Sequence, residues 1–146
     1  MDLRETKRFG VALDVTVKII RQDLIRRFRE KGIDLTPEQW TLLSELASEE
    51  SVYQRELAAN TFKDAPTVSR IIELLRKRGY IVRNPDKDDR RRFLISLTKE
   101  GRRMYEKSAP IVYEARKTGW KGLNDQDYGN LTKVLSKISA NITNAH

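Results

Sequence analysis

Hydrophobic positions recur along most of this chain with a helical period and switch once to a strand period. The clearest helix is Asp64–Gly79. Val68, Ile71, Ile72 and Leu75 follow i, i+3, i+4, i+7 spacing and make one apolar stripe. At 100° per residue, Pro66, Ser69, Arg70, Glu73 and Lys77 fall on or near the opposite side. Asp64 is placed to cap the first turn, and Pro66 sits where a missing N–H costs little. Gly79 suits the left-handed residue that ends a helix, and Arg76, Lys77 and Arg78 oppose the dipole in the last turn.

The remaining pattern predicts short and long helices around this one. Phe9, Leu13, Val17, Ile20, Leu24 and Phe28 recur every three or four positions from about Glu5 to Lys31, with Gly32 as the stop. That is more apolar length than a compact three-helix unit needs, so part of it is expected to face another subunit. Thr36-Pro-Glu-Gln39 is a capping-box signature, followed by Trp40, Leu43, Leu46 and Ala47. Ser51–Gln54 repeats the cap logic ahead of Leu57 and Ala58. Two short helices, a tight turn at 61–64 and the helix from Asp64 describe a helix-turn-helix.

After Gly79 the period changes. Tyr80–Arg83 reads as a strand, Asn84–Asp89 as turn material, and Arg91–Leu97 alternates with Phe93, Ile95 and Leu97 on one side. This predicts a β-hairpin, the wing of a winged helix. Thr98 can cap the next helix, which carries Met104, Tyr105, Ile111, Val112 and Ala115 and is interrupted by Pro110. Asn124 caps a last helix whose Tyr128, Leu131, Leu135, Ile138 and Ile142 step by three and four, a narrow coiled-coil-like seam. The predicted fold is mainly α with a small β-hairpin wing. Residues 1–34 are expected to be an N-terminal dimerisation helix, 35–99 the winged helix-turn-helix lobe and 100–146 the C-terminal dimerisation helices. The seam can dock on the chain's own core or on a second copy. Pairing to match palindromic half-sites favours the second copy.

Charge adds a direction to this picture. The formal net charge is +8, and between Arg70 and Arg103 there are 12 Lys/Arg against 5 Asp/Glu. Nearly all of the excess therefore sits on the helix from Asp64 and the hairpin after it, which favours an anionic partner there. The hairpin tip carries Lys87, Arg90, Arg91 and Arg92. A guanidinium in a narrow minor groove gains from the concentrated negative potential, although charged tips also serve solubility. Asp86, Asp88 and Asp89 suit the turn, and one of them can hold an arginine by a salt bridge.

Composition excludes several classes. Hydrophobic residues are 38% and charged ones 34%, so the core that the chain buries alone is limited and a partner subunit is expected. There is no cysteine, and the only histidine is the last residue, His146. Disulfides, thiolate metal sites and thiol redox sensing are excluded. With no nucleophile–base pair and no Gly-rich phosphate loop, neither an enzyme nor a cofactor or metal is expected. No apolar run approaches the roughly 20 residues of a membrane span, and the start lacks a signal-peptide pattern, so a cytoplasmic protein is expected. A non-specific architectural DNA binder shares the charge argument, and a helical adaptor would use the Tyr128–Ile142 seam.

From Leu35 to about Met104 the residues resemble the MarR-type (multiple-antibiotic-resistance regulator) transcription factors. The resemblance rests on Leu-Thr-Pro-Glu-Gln-Trp at 35–40, Gln-Arg-Glu-Leu-Ala at 54–58 and Thr-Val-Ser-Arg at 67–70. It continues with Leu-Arg-Lys-Arg-Gly-Tyr-Ile-Val-Arg at 75–83, Asp-Arg-Arg at 89–91 and Leu-Thr-Lys-Glu-Gly-Arg at 97–102. It implies a homodimer on a palindromic operator, usually a repressor, with the first and last helices building the dimer through residues such as Phe9, Leu13, Val17, Tyr128, Leu131, Leu135, Ile138 and Ile142. The helix from Asp64 would enter the major groove with Pro66, Thr67, Ser69 and Arg70. Arg91 would reach the minor groove, oriented by Asp89. Lys63, Lys77, Arg83, Lys87, Arg90 and Arg92 complete the expected double-stranded DNA surface. Many such proteins are released by small phenolic or anionic effectors. Trp40, Tyr105 and Tyr113 are the aromatic residues that could line a pocket for one, with core packing as the alternative role for each. Glu73, on the presumed DNA face, is expected to pair with Lys77.

Overall fold

The computed structural model describes residues 2–62 and 64–146. Lys63, one of the expected DNA contacts, lies outside the described residues. Helix α1 (Leu3–Glu30) starts earlier than the apolar period suggests, because Asp2 and Glu5 form a capping box. Asp2 Oδ1 accepts from the Arg4 and Glu5 amides, and Glu5 accepts from the Asp2 amide. Helix α2 (Pro37–Ala47) starts at the expected box, with Thr36 and Gln39 bonded reciprocally.

The next segment departs from expectation. Val52–Tyr53 form a short strand, β1, and α3 (Gln54–Asn60) follows with no side-chain cap. Ser51 does not cap a helix here because the two residues after it pair with a strand. Helix α4 (Ala65–Lys77) is capped by Asp64 and carries Pro66 in its first turn. Strands β2 (Ile81–Pro85) and β3 (Phe93–Leu97) follow. The hairpin is thus part of a three-stranded antiparallel sheet, ordered β1-β3-β2. Val52 lies opposite Ile95, Arg83 opposite Ile95 from the other side, and Pro85 opposite Phe93. Asn84 and Pro85 extend β2 rather than turn, Pro85 being tolerable at the end of an edge strand. Helices α5 (Lys99–Gly119) and α6 (Asp125–Asn144) complete the chain, α6 beginning with an Asn124–Asp127 capping box.

The chain forms two compact units, one reaching Ala115 and the other Arg116–His146. In the first, the α4 stripe Val68, Ile71, Ile72 and Leu75 is buried with Leu42, Leu43 and Leu46 of α2, Leu57 of α3, Ile81 and Ile95 of the sheet, Phe28 of α1 and Val112 of α5. Each large side chain fully buried there contributes about 1.5–3 kcal/mol from transfer out of water. The core therefore fixes α4 and the wing together. Thr98 holds the joint after the wing: its amide donates to the Tyr80 carbonyl at 3.0 Å, its hydroxyl donates to the Gly79 carbonyl, and Oγ1 accepts from the Gly101 amide at 3.0 Å. Gly101 lies so close to the Tyr80 carbonyl that a β-carbon would overlap it.

The first two-thirds of α1 is different. Phe9, Leu13, Val17 and Ile20 are exposed, as are Val11, Val15 and Ile19. At 100° per residue these two sets lie on roughly opposite sides of the helix. The second unit packs Trp120 edge-on against Tyr128, with ring centroids 5.3 Å apart. None of the residues of α6 is buried. Tyr128, Leu131 and Ile142 are exposed, while Leu135 and Ile138 are half-buried.

Candidate nucleic-acid interface

Helix α4 presents its polar side to solvent because the core takes the other. Pro66, Ser69, Arg70 and Lys77 are exposed, and Thr67 is half-buried. Asp64 fixes the first turn: its carboxylate accepts from the Thr67 amide at 3.3 Å and from the Thr67 hydroxyl at 2.6 Å. The Thr67 hydroxyl bond, helped by the Thr67 amide, holds the Asp64 carboxyl below its ordinary pKa. Thr67 is therefore occupied within its own turn, whereas Ser69 and Arg70 lie open.

Glu73 corrects the sequence expectation. It pairs with Arg76, not Lys77: Arg76 Nε donates to Oε2 at 3.0 Å and Nη2 to Oε1 at 2.7 Å. A guanidinium fork matches a carboxylate bidentately and an ammonium does not, which explains the choice of i+3 over i+4. The Arg76 hydrogen bonds also lower the Glu73 pKa. Lys77 keeps its charge outward at the end of the same polar face.

The wing tip is built on Asp86, which is buried. Its amide donates to the Arg92 carbonyl at 2.8 Å, and its carboxylate accepts from the Tyr53 hydroxyl at 3.1 Å. That bond raises the Tyr53 pKa. The strand β1 that sequence reading missed thus anchors the tip through Tyr53. Asp89 does what the resemblance implies for it. Its carboxylate accepts from the Arg91 amide at 3.0 Å and lies 3.2 and 3.4 Å from two guanidinium nitrogens. These bonds, the side-chain one first, lower the Asp89 pKa. Arg91 itself is 91% exposed, so the pair aims it rather than hides it.

The other wing cations divide into two groups. Lys87 and Arg90 are exposed. Arg92 lies over the Tyr53 ring at 3.8 Å and Arg83 over the Phe93 ring at 3.6 Å. Such contacts keep the charge while pinning the stem. A cleft of about 770 Å³ gathers these parts: Arg55 and Glu56 of α3, Ala65 and Ser69 of α4, and Arg83, Arg91, Arg92 and Phe93 of the wing. Trp40 and Tyr105 do not line it. They stack in the core with centroids 6.1 Å apart. Tyr113 is 67% exposed. Gln54, which sequence reading placed only within a motif, lies in the cleft wall and bonds to both α4 and β2.

An exposed polar helix face beside an arginine-tipped sheet, on a helix-turn-helix core, defines a winged-helix DNA-binding regulator. The MarR family model matches residues 33–92. The HTH-type transcriptional regulator SarZ of Staphylococcus saprophyticus is 30% identical over 87 residues, covering 58% of this chain and 60% of that protein. The homoprotocatechuate degradative operon repressor of Escherichia coli is 26% identical over 131 residues, 88% of each chain. The crystal structure of a mutant MarR from E. coli complexed with operator DNA shares the fold, with a TM-score of 0.80 at 21% identity over 94% of this chain and 99% of that one. The chain belongs to the MarR family, whose members matched here are transcriptional regulators and not enzymes. Among the described residues no helix is long and apolar enough to cross a membrane.

Proposed function

We propose that this chain is a cytoplasmic repressor that binds a palindromic operator as a homodimer and is released by a small aromatic or anionic ligand. Helix α4 would read the major groove through Pro66, Ser69 and Arg70, with Thr67 fixing the first turn. Arg91, aimed by Asp89, would enter the minor groove. Lys77, Arg83, Lys87, Arg90 and Arg92 would meet phosphates. In such an interface backbone contacts set affinity and register, while a few base-edge contacts set sequence. The exposed stripes of α1 and α6 would form the dimer.

The observation that carries this reading is the shared cleft, which holds Ser69 of α4 and Arg83, Arg91 and Arg92 of the wing within one surface. The ligand part draws on the operon named for the E. coli relative, that of an aromatic acid. The test is selection of duplexes from a random pool by the purified protein. A two-fold symmetric site is expected. With roughly six to ten phosphates neutralised, affinity for it should fall by about 10³–10⁵ between 50 and 200 mM salt. Equal affinity for all duplexes would reject the operator. Aromatic acids that raise the melting temperature and release the selected duplex would identify the effector class.

A further inference from the structure

Gln54 opens α3 and is half-buried between α4 and the wing. Both ends of its amide are used. Nε2 donates to Ser69 Oγ at 3.1 Å, and Oε1 accepts from Arg83 Nε at 3.0 Å. The two partners are 15 and 29 positions away, so both bonds are tertiary. The guanidinium of Arg83 then rests on Phe93 in the neighbouring strand. A continuous chain of contacts, Ser69–Gln54–Arg83–Phe93, therefore spans the cleft from α4 to β3.

The donor and acceptor inventory fixes the sense of this chain. A guanidinium only donates, so the amide carbonyl must face Arg83. That leaves the NH₂ for Ser69, whose oxygen becomes the acceptor. The Ser69 proton is then free to point outward, toward an acceptor such as a base-edge oxygen or nitrogen, or a phosphate. Glu73, one helical turn beyond Ser69, is held by Arg76 and does not compete for this bond. Removing either partner from Gln54 would loosen its hold on the other.

We propose that Gln54 is a positioning residue that ties the recognition helix to the wing and presents Ser69 to DNA as a hydrogen-bond donor. The consequence is that the DNA contacts of Ser69 and Arg83 are energetically coupled through a side chain that need not touch DNA. This rests on the reading of α4 and the wing as the DNA surface.

A double-mutant cycle tests it, with fluorescence anisotropy on the duplex that the intact protein selects from a random pool. Ser69→Ala and Arg83→Met are measured singly and together, in the native chain and in Gln54→Met. Arg83→Met keeps the stem on the Phe93 ring while removing the donor. In the native chain each single change should weaken binding, and the double change should weaken it by at least about threefold less than the product of the two. In Gln54→Met the two losses should simply multiply. Losses that multiply already in the native chain overturn the coupling while leaving the DNA surface intact. Coupling that persists in Gln54→Met assigns it to another route and also overturns the proposal. If neither single change affects binding, the DNA surface itself is misassigned and the proposal falls with it. Thermal melting checks each variant, and Gln54→Ala, which removes the same bonds with less bulk, replaces Gln54→Met if that protein melts early.

Discussion

The lobe around α4 and the first part of α1 spend their apolar residues in opposite ways. In the lobe, Leu42, Leu43, Leu57, Val68, Leu75 and Ile95 are completely enclosed by residues of the same chain. Along α1, Phe9, Val11, Leu13, Val15, Val17, Ile19 and Ile20 remain exposed, on two sides of one rod. A soluble monomer rarely shows contiguous apolar patches of this kind without a partner. The difference teaches that the reading surface is self-supporting in its core, while its duplication depends on a surface the chain cannot cover from that core. A helix apolar on both sides needs cover on both sides, so a second copy would have to embrace α1 rather than merely touch it. In the Arg116–His146 unit, the exposed Tyr128 and Leu131 repeat the same situation.

The sharpest way to break this comparison is to charge the exposed seam and spare the lobe. Leu131→Asp with Leu135→Asp should leave the lobe folded and split the dimer, which sedimentation would show. Affinity for a symmetric duplex should then drop by about 10²–10⁴, the range lost when two linked reading heads act separately. A monomeric variant with undiminished affinity would end the claim that the terminal helices serve DNA binding through pairing.

Leu43→Ala asks the opposite question of the lobe. Leu43 is fully buried, so the change should cost about 2–5 kcal/mol in urea unfolding. The cost to the lobe's own stability should depend little on protein concentration, whereas the effect of the seam variant should grow on dilution. If dilution made no difference to the seam variant, both regions would belong to one self-contained fold.

A smaller effect is expected at the wing tip. Arg91→Ala should weaken binding to the selected duplex about tenfold, roughly 1.4 kcal/mol, with no change in melting temperature. A rim charge alone is worth about 0–1 kcal/mol. Asp89→Ala should lose less than Arg91→Ala, because it removes the aim and not the charge. Equal losses would make Asp89 a contact in its own right, and no loss in either would remove the wing tip from the interface.

The parts of this molecule legible in its sequence are the local ones. Helix α4 could be read because its stripe, its Asp64 cap and Gly79 all lie within sixteen positions. The Asp89–Arg91 pair could be read because its partners are two residues apart. Strand β1 could not, since Val52 and Tyr53 are strand only by virtue of β3, some forty positions on. Gln54 was hidden for the same reason, its partners being distant in sequence. The glycine of Leu-Thr-Lys-Glu-Gly-Arg reads as motif alone until the Tyr80 carbonyl is seen beside it. The second α1 stripe escaped notice because Val11, Val15 and Ile19 interleave with Leu13, Val17 and Ile20. The pattern then satisfies a helical period on one side and masks the other. Trp40 and Tyr105 were legible as aromatics, but their stacking in the core is a tertiary fact.

The contact between the two contrasted regions offers the mildest test. Arg21 on α1 grips Glu38 in the first turn of α2, with Nε 2.6 Å from Oε1 and Nη2 3.1 Å from Oε2. The hydrogen bonds from Arg21 outweigh burial and lower the Glu38 pKa. A lowered carboxylate contributes stability that is fully present above its unfolded pKa, near 4.3, and is lost as pH falls through the folded value. Both side chains are about a third or more exposed, at 44% and 33%, so screening keeps the contribution small, within about 1 kcal/mol. Arg21→Met should therefore lower unfolding free energy by less than about 1 kcal/mol at pH 7. The gap from the native chain should close as pH drops below about 4. A gap of constant size down to acid pH would mean that Arg21 supports α1 through the packing of its stem and not through Glu38. The junction between rod and lobe would then be apolar in origin, like the surfaces on either side of it.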